Sequence, residues 1–305
     1  MRTDLYKAIT EQIITAIEAG VEDGSYQLPW HRGGSLSMPV NAVSRQPYHG
    51  INTLLLWSSA RQAGYSTGEW ATYRQWAAAG AQVKKGERAS VVLLWKTIGH
   101  PDNDADGAHD DHRRQRTLAR AFHLFNAAQV DGYTPARQAL PLAARIEGAD
   151  AFFAAQPAEI WHGSDEAFFD PASDVVCLPA FGAFTSAEAY YSVYAHELTH
   201  WTGSAKRLER DLSGRFGSAA YAMEELVAEL GAAFTLGHLG LAARPRDDHA
   251  VYLASWLKVL RDDPAAILTA ASRAQLAADY LISLAEGQRM TSDAPLAPAS
   301  SELVE

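Results

Sequence analysis

The chain has 305 residues, 48% of them hydrophobic and 20% charged, a balance that specifies folded globular domains and excludes a fibrous or disordered protein. A net charge of −10 argues against a uniformly basic nucleic-acid binder, and the single cysteine, Cys177, excludes an internal disulfide or a cysteine-built zinc site. That cysteine usage fits a reducing cytosol, no apolar signal segment follows Met1 and no uncharged run is long enough to span a membrane, so a cytoplasmic chain with no membrane partner is expected, monomeric by default.

In chain order, residues 4–20 place Leu5, Ile9, Ile13 and Ile17 on one stripe and reach Gly20, which predicts a helix. A polar stretch with glycine and proline follows to about residue 50, then a helix closed by Gly64. Thr72 and Gln75 have capping-box spacing for a short helix that stops at Gly80. Ser90–Lys96 reads as a strand, and Thr117–Gln129 has strand character around Phe122, Leu124 and Phe125. The acidic segment Pro101–Asp111 is the solvated loop between them.

Pro135 and Pro141 break the pattern, giving an α+β domain over 1–135, a linker over 136–150, a second domain over 151–288 and a disordered tail over 289–305. In the second domain Ala167–Pro179 reads as a hairpin ending in a Val175–Leu178 strand. Thr185 with Glu188 forms a capping box for a helix that Gly203 ends. Ser218 opens and Gly240 closes the next helix, one more spans about 249–262, and Asp263 with Pro264 starts a last one running to Gly287. The fold class is α+β, with a mainly helical C-terminal domain carrying a small β-sheet.

The charge is unevenly spread. Residues 1–100 carry ten basic and seven acidic side chains, which permits a DNA partner without specifying one. Five of the eight tryptophans, Trp30, Trp57, Trp70, Trp76 and Trp95, fall in this part among arginines and lysines. Aromatic faces stack bases and cations follow phosphates, as a single-strand groove requires; a small core with a solvated surface has the same composition. Trp57 and Trp95 read as core, whereas Trp70, Tyr73, Arg74, Lys84 and Lys85 are the candidate nucleic-acid contacts.

Residues 196–200 read His-Glu-Leu-Thr-His. On a helix His196 and His200 lie one turn apart and point the same way, so both imidazoles can share one ion, with Glu197 beside them as the catalytic base for an activated water. The next helix offers Glu225 and Glu229, again one turn apart, among Leu226, Val227, Leu230 and Phe234. Carboxylates in a core-facing helix need a charge to neutralise them. Glu225 is read as the third ligand and Glu229 as acceptor for a ligand histidine N–H, while Glu224, about 100° round the helix, is expected in solvent. Zn²⁺ suits two histidines and a carboxylate, and Mn²⁺ or Co²⁺ fits the same donors. Tyr221, His238 and His249 are weaker candidates for a transition-state donor.

His196-Glu197-x-x-His200 followed by Glu225-x-x-Ala228-Glu229 resembles the Glu-zincin metallopeptidases, with Glu229 where that family usually has Asp. More narrowly, His-Glu-Leu-Thr-His-Trp-Thr-Gly with Tyr-Ala-Met-Glu-Glu-Leu-Val-Ala-Glu-Leu resembles the ArdC-type antirestriction proteins of plasmids and mobile elements. The segments Tyr48–Trp57, Trp70–Trp76 and Val83–Glu87 resemble them too, so the similarity runs from about residue 3 to about 285. The resemblance implies an N-terminal single-stranded-DNA-binding domain, a C-terminal zincin-like metallopeptidase domain, and protection of incoming plasmid DNA from host restriction. In zincins a strand such as Val175–Leu178 borders the cleft and can pair with an extended peptide. Two further readings stand beside it: a metallopeptidase acting on a protein substrate recruited by the N-terminal domain, and a DNA shield whose metal is structural.

Overall fold

Ile9, Ile13 and Ile17 are at most 4% exposed, and the elements that cover them come from both halves of the chain. The computed structural model describes residues 2–22, 28–31, 38–98, 116–135, 141–215, 217–244 and 249–292. Helix α1 (Arg2–Glu22) packs on α2 (Ile51–Ala63) and on a helix near the C-terminal end, His249–Asp262. In α2, Leu54, Leu55 and Trp57 are buried, and Gly64 ends the helix in the left-handed region at φ 70°. The Trp57 ring lies 5.8 Å from that of Phe234, in the helix Ala219–His238. One hydrophobic core therefore runs from the N-terminal helices into the C-terminal ones. Each large side chain buried there contributes roughly 1.5–3 kcal/mol. Thr10 Oγ1 donates to Pro264 O at 2.7 Å and the Gly50 N–H donates to Gln275 Oε1 at 2.8 Å across the same boundary.

The N-terminal sheet has the order β1 (Val40–Asn41), β2 (Glu69–Ala71), β5 (Arg116–Asn126), β4 (Ser90–Ile98), parallel only between β1 and β2. Strand β5 stops at Asn126 instead of Gln129, because the Asn126 side chain accepts from Ala128 N–H and caps a 3₁₀ turn. Helix α3 (Tyr73–Ala78) carries the reciprocal Thr72–Gln75 capping box that the spacing predicts. A two-residue ladder, β3 (Gln82–Val83) with β6 (Val130–Asp131), closes this part. The acidic loop, the Trp95 side chain and residues 293–305 of the expected tail lie outside the described residues.

The segment expected to be a linker is helical from Leu142, as α4 (Leu142–Ala154), with Phe152 and Phe153 buried; residues 136–140 lie outside the described residues. The second sheet has the order β7 (Glu159–His162), β9 (Val175–Leu178), β8 (Phe168–Asp170). The β8–β9 hairpin forms as expected, but β9 is the central strand, so among the described residues the edge strands are β7 and β8 and not β9. Helix α5 (Ala187–Thr202) is capped by Ser186, whose Oγ accepts from Ala189 N–H at 3.1 Å. Thr185, the expected cap, lies one residue outside, because Ser186 takes the extended backbone that an N-cap requires. Ser218 caps α6 (Ala219–His238) as expected. After α7 (His249–Asp262), Asp263 Oδ1 accepts from Ala265 N–H, so α8 (Ala266–Ser292) starts past Pro264 and continues through Gly287.

Helices α5 and α6 meet closely because residue 231 is glycine: a Cβ there would lie 2.5 Å from Thr199 Cγ2. No described helix is long and apolar enough to cross a membrane.

Candidate metal centre

The close crossing of α5 and α6 brings the histidine face of one helix against the carboxylate face of the other. His196 Nε2 and His200 Nε2 are 3.2 Å apart. Glu225 Oε2 lies 3.5 Å from His196 Nε2, and its Oε1 lies 3.6 Å from His200 Nε2. An ion held tetrahedrally at the usual nitrogen and oxygen bond lengths keeps its donors roughly 3.3 Å apart, so these atoms already have the spacing that such an ion needs. Among the described residues this trio could hold a metal ion, with all its donor atoms within 4.8 Å of one another.

Around the trio stands a ring of polar contacts that only partly follows the sequence reading. Glu224, expected in solvent, is 8% exposed. Its direction on α6 faces the loop after α5 and not water: Arg210 donates to it from Nη2 at 2.8 Å and from Nε at 3.0 Å. Glu224 Oε1 also lies 3.2 Å from His200 Nδ1, which turns Nε2 of that ring toward Glu225. Burial pushes the Glu224 carboxyl up, but the hydrogen bonds from His200 and Arg210 outweigh it and hold the group below its ordinary value. Glu229 Oε2 is 3.6 Å from His196 Nδ1. Its Oε1 accepts from Trp30 Nε1 at 3.2 Å and lies 2.6 Å from His31 Nε2.

Trp30 and His31 were hidden in the segment read as polar, and both are at most 2% exposed. The one signal in the sequence was Glu229 itself, a carboxylate in an apolar helix that needs more than one partner. Nothing in the spacing says that the partners stand 198 and 199 residues away.

The trio opens on a cleft of about 750 Å³ whose wall includes Glu197, Phe168, Phe169, Val193, Tyr221 and Arg244. Glu197 is 3% exposed, beside the two histidines on α5. The Tyr221 hydroxyl lies 3.2 Å from that of Tyr252; burial and then this contact raise its phenol well above the ordinary value, so it keeps its proton and can donate. His238 is exposed at the end of α6, outside the cleft wall, and the His249 side chain lies outside the described residues.

The five candidate nucleic-acid contacts divide. Tyr73 is 50% exposed, and Arg74, Lys84 and Lys85 are exposed as well. Tyr73, Lys84 and Lys85 line one shallow groove of about 500 Å³, together with Gln82, Phe125, Glu87 and Asp131. Trp70 is 1% exposed and packs with Leu56, Val92 and Leu124. Pairing of β2 between β1 and β5 turns its indole inward, so it offers no face to a base. Trp76 is buried too, with Nε1 donating to Phe125 O at 3.0 Å.

Residues 3–125 match the N-terminal domain of the anti-restriction factor ArdC, and residues 147–273 match a zincin-like metallopeptidase domain. The metal-free crystal structure of the antirestriction protein ArdC from the R388 plasmid aligns with a TM-score of 0.77 at 37% identity, over 93% of this chain and 98% of that one. The chain belongs to the ArdC family of antirestriction proteins. The Mn(II)-bound structure of the R388 protein aligns with a TM-score of 0.73, also at 37% identity, over 92% of this chain and 98% of the other. The uncharacterized protein y4eC of Sinorhizobium fredii is 50% identical over 283 residues, which cover 92% of each chain. A DNA primase TraC of Escherichia coli is 35% identical over the whole of this chain, which spans only 30% of the primase.

Proposed function

We propose that the chain protects plasmid or mobile-element DNA from host restriction, binds single-stranded DNA through its N-terminal half, and holds a divalent ion, Zn²⁺ by preference, on His196, His200 and Glu225. The observation that carries the metal assignment is the convergence of two Nε2 atoms and one carboxylate at 3.2–3.6 Å, beside an open cleft. The Mn(II) form of the R388 relative supports a divalent ion, and the TraC primases support a DNA-directed role. The groove at Tyr73, Lys84 and Lys85, with Arg74 nearby in sequence, supplies a stacking face and cations suited to a flexible strand.

An ion in this site would supply Lewis-acid polarisation of a bound carbonyl and a more acidic water, one that gives up its proton near neutrality. The chain's own residues account for the rest. Glu197 takes a proton from the attacking water on a carboxylate oxygen and returns it to the leaving nitrogen. Tyr221, protonated and in the cleft wall, is placed to donate to a developing oxyanion. The unpaired edge of β8 beside the cleft favours an extended peptide as the group that enters. This leaves a second reading in play, a metallopeptidase whose N-terminal half recruits a protein substrate.

The test is metal analysis of the purified full chain, with a gel shift on a labelled single-stranded oligonucleotide. About one ion per chain is expected, lost in His196→Ala and Glu225→Ala, with the shift kept in both. Absence of metal from the parent protein, or absence of a shift at low salt, would overturn the corresponding half of the proposal.

A further inference from the structure

Glu229 is a carboxylate 4% exposed in the middle of α6, and its two oxygens face opposite halves of the chain. Oε2 faces His196 Nδ1 at 3.6 Å. Oε1 receives Trp30 Nε1 at 3.2 Å and His31 Nε2 at 2.6 Å. The tautomer of His31 follows from its other side, where the Leu28 N–H lies 3.2 Å from Nδ1. A backbone N–H can only donate, so Nδ1 accepts and the ring hydrogen sits on Nε2, pointing at Glu229. Arg61 on α2 in turn donates from Nη1 to Leu28 O at 2.9 Å and holds this short segment against the N-terminal helices.

We infer that Trp30 and His31 are positioning residues of the metal centre: two donors on one oxygen fix the rotation of the Glu229 carboxylate, and Glu229 in turn sets the ring of His196. The inference rests on the metal-binding reading above. The N-terminal half then does more than bind DNA. It completes the outer polar frame of a site whose ligands all lie in the C-terminal half. Groups that orient a ligand histidine typically change metal affinity 10–100-fold when removed, whereas a group that only fills the core changes stability and leaves affinity alone. That difference separates the inference from simple neutralisation of a buried carboxylate.

The experiment uses the full chain and measures Zn²⁺ affinity by chelator competition, together with the visible absorption of the Co²⁺-loaded protein and a thermal melt of each apo form. His31→Ala is expected to weaken Zn²⁺ binding about 10–100-fold and to shift the Co²⁺ bands, and His31→Gln, which restores a donor, to recover most of the affinity. Trp30→Phe keeps an aromatic ring in the core but removes the Nε1 donor, so it tests the same frame if His31→Ala fails to fold; a loss of about threefold or more is expected. Affinity within about twofold of the parent and an unchanged Co²⁺ spectrum, in folded His31→Ala or in Trp30→Phe, would overturn the inference while leaving the metal assignment standing. Failure of the parent protein to bind Zn²⁺, Mn²⁺ or Co²⁺ would overturn both.

Discussion

Arg210 closes a two-pronged ion pair on Glu224, Nη2 to Oε1 at 2.8 Å and Nε to Oε2 at 3.0 Å, with both side chains less than a tenth exposed. The same guanidinium donates to Thr199 O at 2.6 Å and to Thr202 Oγ1 at 2.9 Å, so it clamps the end of α5 to the start of α6. Arg210→Met should cost about 3–5 kcal/mol, because it strands a buried carboxylate. Adding Glu224→Met should restore most of the stability in a denaturant titration but not the metal affinity, since His200 has then lost its Nδ1 partner. Equal recovery of both would mean that Glu224 does not orient His200.

The contact between Gly231 and Thr199 sets how closely α5 and α6 approach. Gly231→Ala puts a methyl 2.5 Å from Thr199 Cγ2 and 2.8 Å from its Oγ1, and should destabilise by about 1–3 kcal/mol. Thr199→Ser removes the nearer of those atoms, so the double variant should regain part of the loss. A double-mutant cycle with no coupling would contradict this packing.

Asp174 ties the hairpin of β8 and β9 to the loop after α5: Arg207 Nη1 donates to Oδ2 at 3.1 Å, Nη2 pairs with Oδ1, and the guanidinium stacks 3.9 Å from the Trp201 ring. Hydrogen bonds from Arg207 hold the Asp174 carboxyl below its ordinary value of 3.8. A depressed folded value means that the unfolded chain takes up the proton first. The stabilisation is therefore complete above about pH 4 and is lost as pH falls through the folded value. Asp174→Asn tolerates the left-handed backbone at φ 63° and removes the charge together with one of the two acceptors for Arg207, at a cost of about 1 kcal/mol near neutrality. In melts from pH 6 to pH 3 the gap between parent and variant should shrink; a constant gap would exclude the ion pair as its source.

Glu197→Gln separates an enzyme from a shield. Glu197 is not in the ligand trio, so fold and metal content should be unchanged while peptide hydrolysis, if present, falls at least about 100-fold. Protection of incoming DNA from restriction in cells is the deciding measurement. Undiminished protection would remove hydrolysis from the biology, and lost protection with intact DNA binding would make the zincin site the working part.

For the groove on the N-terminal half, replacing Arg74, Lys84 and Lys85 together by alanine should flatten the salt dependence of single-strand binding. Each lost phosphate contact removes about 0.7 from the slope of log affinity against log salt, so a drop of about 2 is expected. Trp70→Phe should leave the slope alone, because that ring faces the core. An unchanged slope in the triple variant would move the DNA site elsewhere on the surface.

The sequence was most informative where chemistry and helical period coincide. That His196, His200 and Glu225 come together was readable because one-turn spacing on two helices leaves few geometric alternatives. The capping box at Thr72 and Gln75 was equally local, and it formed. Errors came where a long-range contact decides the environment. Glu224 looked solvated from its angle on α6, yet Arg210 reaches it from a loop whose path no periodicity reveals. Trp70 looked exposed because it neighbours Tyr73 and Arg74, but burial in a three-residue strand is set by the strands that flank it. Trp30 and His31 were invisible for the same reason: a short irregular segment has no period to betray which side faces a helix two hundred positions away.

The core that passes without a break from α1 and α2 into α6, α7 and α8 bears on how such a unit can be inherited. Half a copy would bare the apolar stripe of Ile9, Ile13 and Ile17, or leave Glu229 a charge with nothing polar from the other half against it. A recombination event within the unit would therefore be disfavoured at the level of folding, and exchange would carry it entire. One TraC primase fits that rule: all of this chain aligns within 30% of its length.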